Sequence, residues 1–174
     1  MTLRMAVGDR DHFEGPADVR MVLVEYGDYE CPHCGAAYPV LKRVRRTLEH
    51  ELGFVFRNFP LSEMHPHALQ AAEAAEAAGA QGKFWEMHDL LFDNQNALGR
   101  SHLNRYAAQL GLDLKRFEAE LDSHVHLDRI REDIGSGVRS GVNGTPTLFI
   151  NGARYEEMVT VPLLIAALKG APVR

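Results

Sequence analysis

The strongest constraint on the fold is the passage from residues 21–26, Met-Val-Leu-Val-Glu-Tyr, into Cys31-Pro32-His33-Cys34. The first segment is short, mostly apolar and rich in β-branched residues, the pattern of a strand buried on both faces. Gly27-Asp28-Tyr29-Glu30 reads as a turn. Pro32 then falls in the first turn of a helix, where a missing N–H has no partner to lose. Ala37, Leu41, Val44 and Leu48 follow at the spacing of one helical face. Pro39 lies inside that helix and is expected to kink it. Residues 53–59, Gly-Phe-Val-Phe-Arg-Asn-Phe, read as a second strand. Strand, helix and strand in such close succession predict a βαβ unit with a right-handed crossover.

Around this unit the chain is polar at residues 1–20, with at most a short edge strand at 11–15. From Pro66 to about Ser140 it reads as helix throughout. Ala68, Ala71, Ala72, Ala75 and Ala78 mark one small-residue face, ended by Gly79 and Gly82. Ser101 is the expected N-cap of a helix closed by Gly111, and Asp113 that of the next. A further helix is expected at 125–138. Asn151-Gly152, between Thr147–Ile150 and Ala153–Tyr155, is a strong hairpin signal, and a final helix at 161–169 ends at Gly170. The order β, α, β, helices, β, β, α predicts an α/β fold with an inserted all-helical subdomain. The expected division is 1–62, 63–141 and 142–174.

Cys31 and Cys34 are the only cysteines among 174 residues, too few for a structural disulfide framework. Two intervening residues in a helix's first turn bring the sulfurs within bonding reach. The helix N-terminus stabilises a thiolate through free N–H groups and the macrodipole. Cys31 is expected to be the exposed attacking thiolate and Cys34 the inward resolving thiol, with His33 adding positive charge or a donor. Half a zinc site is one alternative, with His65 and His67 as the nearest-looking further ligands, and two inert core cysteines are the other, although a Pro-His pair at a helix start is poor core material.

A formal net charge of −5 argues against nucleic acid as a partner. Lys42, Arg43, Arg45 and Arg46 read as the solvated face of a helix. No stretch approaches the ~20 apolar residues of a membrane-spanning helix, so no membrane insertion is expected. The first ten residues lack the apolar core of a signal peptide. The expected location is therefore cytoplasmic, or periplasmic or otherwise extracytoplasmic if a leader has been removed.

Val24-Glu25-Tyr26-Gly27-Asp28-Tyr29-Glu30-Cys31-Pro32-His33-Cys34 resembles the active-site segment of DsbA-like thiol–disulfide oxidoreductases. Gly144-Thr145-Pro146-Thr147-Leu148-Phe149-Ile150-Asn151-Gly152 resembles their cis-proline loop and the hairpin after it. The resemblance runs over nearly the whole chain from about residue 11. It implies a thioredoxin fold interrupted by helices, with Cys31 and Cys34 as the redox pair and no metal or organic cofactor. It implies protein or peptide thiols and disulfides as substrates, and a redox recycling partner of unknown identity. Pro146 takes the cis-proline position, and Thr145 would offer backbone hydrogen bonds to an extended substrate. Without the resemblance, Pro146 reads as an ordinary trans proline opening a strand. Glu25 matches the family's buried acid, expected to have a raised pKa and to exchange a proton with Cys34. A surface carboxylate on an edge strand is the alternative for Glu25, and Arg57 is a candidate to neutralise it. Thr145 departs from the valine of the best-known oxidase and resembles isomerase or reductase relatives. Two other functions fit the chain less well: a glutathione-dependent isomerase or transferase, and a non-catalytic binding module.

Overall fold

The apolar run forms β2 (Met21–Gly27), the middle strand of a mixed sheet. The structure is a computed structural model and describes residues 1–172. Among these, β1 (His12–Glu14), β3 (Leu52–Asn58), β4 (Thr147–Ile150) and β5 (Ala153–Tyr155) complete the sheet in the order β1-β3-β2-β4-β5. β2 runs parallel to β3 and antiparallel to β4, so both of its edges are hydrogen-bonded. The short β1 is an antiparallel edge strand on β3. Asn151 and Gly152 both have positive φ, 46° and 81°, the geometry of a tight two-residue hairpin.

Helix α1 (Pro32–Thr47) connects β2 to β3 and is continuous through Pro39. Between β3 and β4 the chain forms α2 (Ala68–Gly79), α3 (Phe84–Asp93), α4 (Arg100–Gln109), α5 (Leu114–Asp122) and α6 (Leu127–Arg139). α7 (Val161–Gly170) follows β5. Asp113 caps α5 by accepting the Arg116 N–H at 3.1 Å. Ser101 does not cap α4, which starts a residue earlier behind Gly99. The small-residue helix also differs from expectation. α2 is buried on nearly every side, Glu73 and Glu76 included. Its alanines let α3, α4, α5 and α6 all approach it, so it is a central post rather than a one-faced helix. The basic cluster on α1 divides in two. Arg43 and Arg46 are exposed, whereas Arg45 lies over the rings of Phe54 and Trp85 and pairs with Glu14, and Lys42 reaches Asp89 at 2.8 Å.

Alternation along the strands sorts the core. Leu23, Phe54, Phe56, Leu148 and Ile150 join the large cluster with α1, α2, α3 and α7. Val24, Tyr26, Val55 and Phe149 form a smaller cluster on the opposite face with Phe59 and Val142. The register pairs Glu25 with Phe56 and Arg57 with Tyr26, so Glu25 and Arg57 lie on opposite faces. Arg57 therefore does not neutralise Glu25. Its side chain, 0% exposed, instead grips Asp11 at 2.8 and 3.0 Å, the Tyr26 hydroxyl, and the Met5 and Ala6 carbonyls. This fastens the N-terminal arm to the sheet. Removing Asp11 would strand a buried cation. Asp11→Ala is expected to destabilise the fold by about 3 kcal/mol, read from the urea unfolding midpoint.

Candidate active site

Cys31 is the N-cap of α1, with φ −69° and ψ 123°, and its side chain makes no capping bond. Cys34 lies one turn into the helix on its buried face. Both sulfurs are unbonded thiols. Cys31 is less open than expected, at 3% exposed against 0% for Cys34. The loop before β4 covers it: the Cys31 thiol donates to the Thr145 carbonyl at 3.4 Å. The Thr145–Pro146 peptide bond is cis. The Cys34 sulfur accepts the Asp28 N–H at 3.5 Å. Pro32 and His33 are exposed.

Electrostatics separate the two thiols. Cys31 is pulled down from 9.0 to about 5, chiefly by the hydrogen bond from Cys34. Burial opposes this, and the Thr145 side chain and the backbone N–H groups of Cys34 and His33 assist it. His33 thus contributes through its backbone N–H. Cys34 is pushed far up, first by burial, then by lending its proton to Cys31, then by the charge of Glu25. Near neutrality the pair carries one thiolate, on the outer sulfur, and one thiol beneath it.

Glu25 is 2% exposed on the central strand, on the α1 face of the sheet. Its Oε1 is buried with no hydrogen-bond partner. Burial raises it from 4.5 to about 8, only partly offset by the charge of Arg45. Gly27 makes room here, since a side chain at that position would strike the Phe56 ring.

Three further contacts escape sequence reasoning. Gln95, between α3 and α4, donates its Nε2 to the carbonyls of both Tyr29 and Cys31 at 2.9 Å. Gly35 admits it, because a Cβ there would collide with the Gln95 amide. Tyr29 bonds through its hydroxyl to buried His88 at 3.2 Å and packs on Phe56 and Phe92. Asp28 links the turn to the loop after β3, accepting the Leu61 N–H at 2.9 Å and pairing with His65 at 2.7 Å. Only Asp28 had a local signal, a turn aspartate two residues before the Glu30 N–H it accepts. His65 and His67 do not turn toward the sulfurs. They pair with Asp28 and Glu30, and among the described residues no group of three or more His, Cys, Asp or Glu side chains could hold a metal ion.

A family model described as Thioredoxin matches residues 8–169. The chain belongs to the thioredoxin family. The structure of this thioredoxin-family chain superposes on BdbD from Bacillus subtilis with a TM-score of 0.83 at 19% identity, covering 92% of this chain and 91% of that one. For Wolbachia pipientis alpha-DsbA1 the TM-score is 0.81 at 18% identity, covering 96% and 92%. The fold is therefore the DsbA-like thioredoxin fold. In sequence the chain is 45% identical over 163 residues to a Salinispora arenicola protein titled Na(+)/H(+) antiporter NhaA 1. That match takes in 94% of this chain but only 25% of the relative, so the chain spans about a quarter of the length of the curated relatives it matches.

Two outcomes follow for this thioredoxin-family site. The Thr145 hydroxyl is buried with no hydrogen-bond partner, where it can turn toward a Cys31 thiolate and help lower it. Thr145→Val is expected to raise the Cys31 midpoint by up to about one unit, read from thiolate absorbance against pH. Glu25 is protonated in the fold at pH values where the unfolded chain has lost that proton. Stability is therefore lost as pH rises from 4.5 toward about 8. Glu25→Gln is expected to stabilise the protein at pH 7 by up to about 3 kcal/mol, and not at pH 4, in paired urea titrations.

Proposed function

We propose that the chain is a thiol–disulfide oxidoreductase acting on protein or peptide cysteines through a mixed disulfide at Cys31, resolved by Cys34. The observation that carries this reading is the placement of the pair: Cys31 heads α1 against the Thr145 carbonyl, with Cys34 fully buried beneath it, and this division pulls Cys31 down and pushes Cys34 up. A stabilised thiolate favours the reduced pair, which makes the disulfide form an oxidant. In the oxidising direction a substrate thiolate attacks the Cys31 sulfur. The Cys31–Cys34 bond breaks, and a substrate–Cys31 disulfide forms. Cys34 leaves with the electron pair and takes a proton from the neutral carboxyl of Glu25. A second substrate thiolate then attacks the substrate sulfur, Cys31 leaves as its stabilised thiolate, and the substrate holds the new disulfide. Two electrons pass to the cysteine pair. An unidentified redox partner removes them by a further exchange, and the reverse sequence reduces a substrate disulfide.

The Thr145–Pro146 loop is the docking edge in this reading, because its backbone lies against Cys31 where an extended substrate segment would pass. The ion antiport in the relatives' name belongs to proteins about four times the matched length. We assign dithiol chemistry to the matched quarter. The test is refolding of reduced ribonuclease, with reduction of insulin for the reverse direction. Cys31→Ser is expected to fall to the uncatalysed background. Cys34→Ser is expected to accumulate a substrate adduct on Cys31 that dithiothreitol releases. Equal rates for wild type and Cys31→Ser would sink the reading.

A further inference from the structure

All the polar atoms of Asp28 are engaged. Its N–H points at the Cys34 sulfur at 3.5 Å, and its carbonyl accepts the Cys31 N–H at 3.2 Å. Oδ1 accepts the Glu30 N–H at 2.8 Å. Oδ2 accepts the Leu61 N–H at 2.9 Å and meets His65 Nδ1 at 2.7 Å. The carboxylate is 0% exposed and the imidazole 14%. A buried carboxylate needs a compensating charge, and His65 is placed to supply it.

We propose that Asp28 and His65 are positioning residues of the dithiol. Their hydrogen-bonded pair fixes the backbone N–H aimed at Cys34, and a proton on His65 sets a positive charge against the turn that carries Cys31. His65 bonds Asp28, and the charges acting on it are those of Asp28, Cys31 and Glu30. Burial opposes its charge, but Asp28 first, then Cys31 and Glu30, outweigh burial and raise its pKa. The coupling is reciprocal: a cation at His65 favours the Cys31 thiolate, and the thiolate favours the cation. The loop after β3 thereby joins the redox chemistry, although none of its side chains touches a sulfur in the bonds described above.

The inference rests on the dithiol reading, yet its test uses no protein substrate. Alkylation of Cys31 by iodoacetamide against pH gives its midpoint in each variant. His65→Gln is expected to raise that midpoint by about one unit, because Asp28 is left uncompensated. Asp28→Asn combined with His65→Gln is expected to return most of the shift, since both charges then leave together. His67→Gln, which alters a neighbouring imidazole paired with Glu30 at the surface, is expected to leave the midpoint in place. An unmoved midpoint in folded His65→Gln overturns the proposal, and so does an equal shift in His67→Gln. The unmutated protein supplies a second measurement. The His65 imidazole, followed by NMR, is expected to titrate lower once diamide has oxidised the Cys31–Cys34 pair and removed the thiolate. Identical His65 titrations in the two redox states also overturn it. A protein inactive on ribonuclease but showing this linkage would refute the proposed function and leave the pair intact.

Discussion

β2 is hydrogen-bonded along both edges and covered on both faces, and the candidate site hangs from its C-terminal end. Strand directions decide what gathers there. β2 and the parallel β3 both finish at this end, so the turn carrying Asp28 and Cys31 meets the loop carrying Leu61 and His65. The antiparallel β4 begins at this end, which brings Thr145 and Pro146 against Cys31. Any slip of one residue in the register would send Glu25 to the wrong face.

The site holds groups that a packed interior ordinarily rejects. Cys31 is driven down, while Cys34 and Glu25 are driven up, within a few residues of one another. Lowering Cys31 favours the fold as pH rises through its range, whereas raising Glu25 sets a cost against folding near neutrality. The surrounding packing offsets it: the alanine-rich α2, the rings around His88, and the two sheet-face clusters. Opposed shifts in adjacent titratable groups are the physical signature of acid–base and nucleophilic chemistry. The helices after β3 belong to this support, since α3 supplies His88 to Tyr29 and the next loop supplies Gln95 to the carbonyls of Tyr29 and Cys31.

Much of this was legible in one dimension. The strand–turn–helix passage, the hairpin at Asn151-Gly152 and the cap at Asp113 are local signals with local causes. The errors share the opposite character. Ser101 has the chemistry of a cap, but α4 begins before it. One-face periodicity on α2 could not show that four helices would surround it. Arg45 is exposed by composition but stacked in fact, because Phe54 and Trp85 arrive from other elements.

The sequence by itself determined that two cysteines sit at a helix start behind a buried strand, since spacing, Pro32 and β-branched residues act over a few bonds. It also placed an acid in that strand. Tertiary structure decided which face the acid takes, which cation it lacks and which loop covers Cys31, because these depend on strand register and direction. Arg57 is the clearest case. Its place on the second strand suggested a partner for Glu25, while the parallel register, pairing it with Tyr26, put the sheet between them.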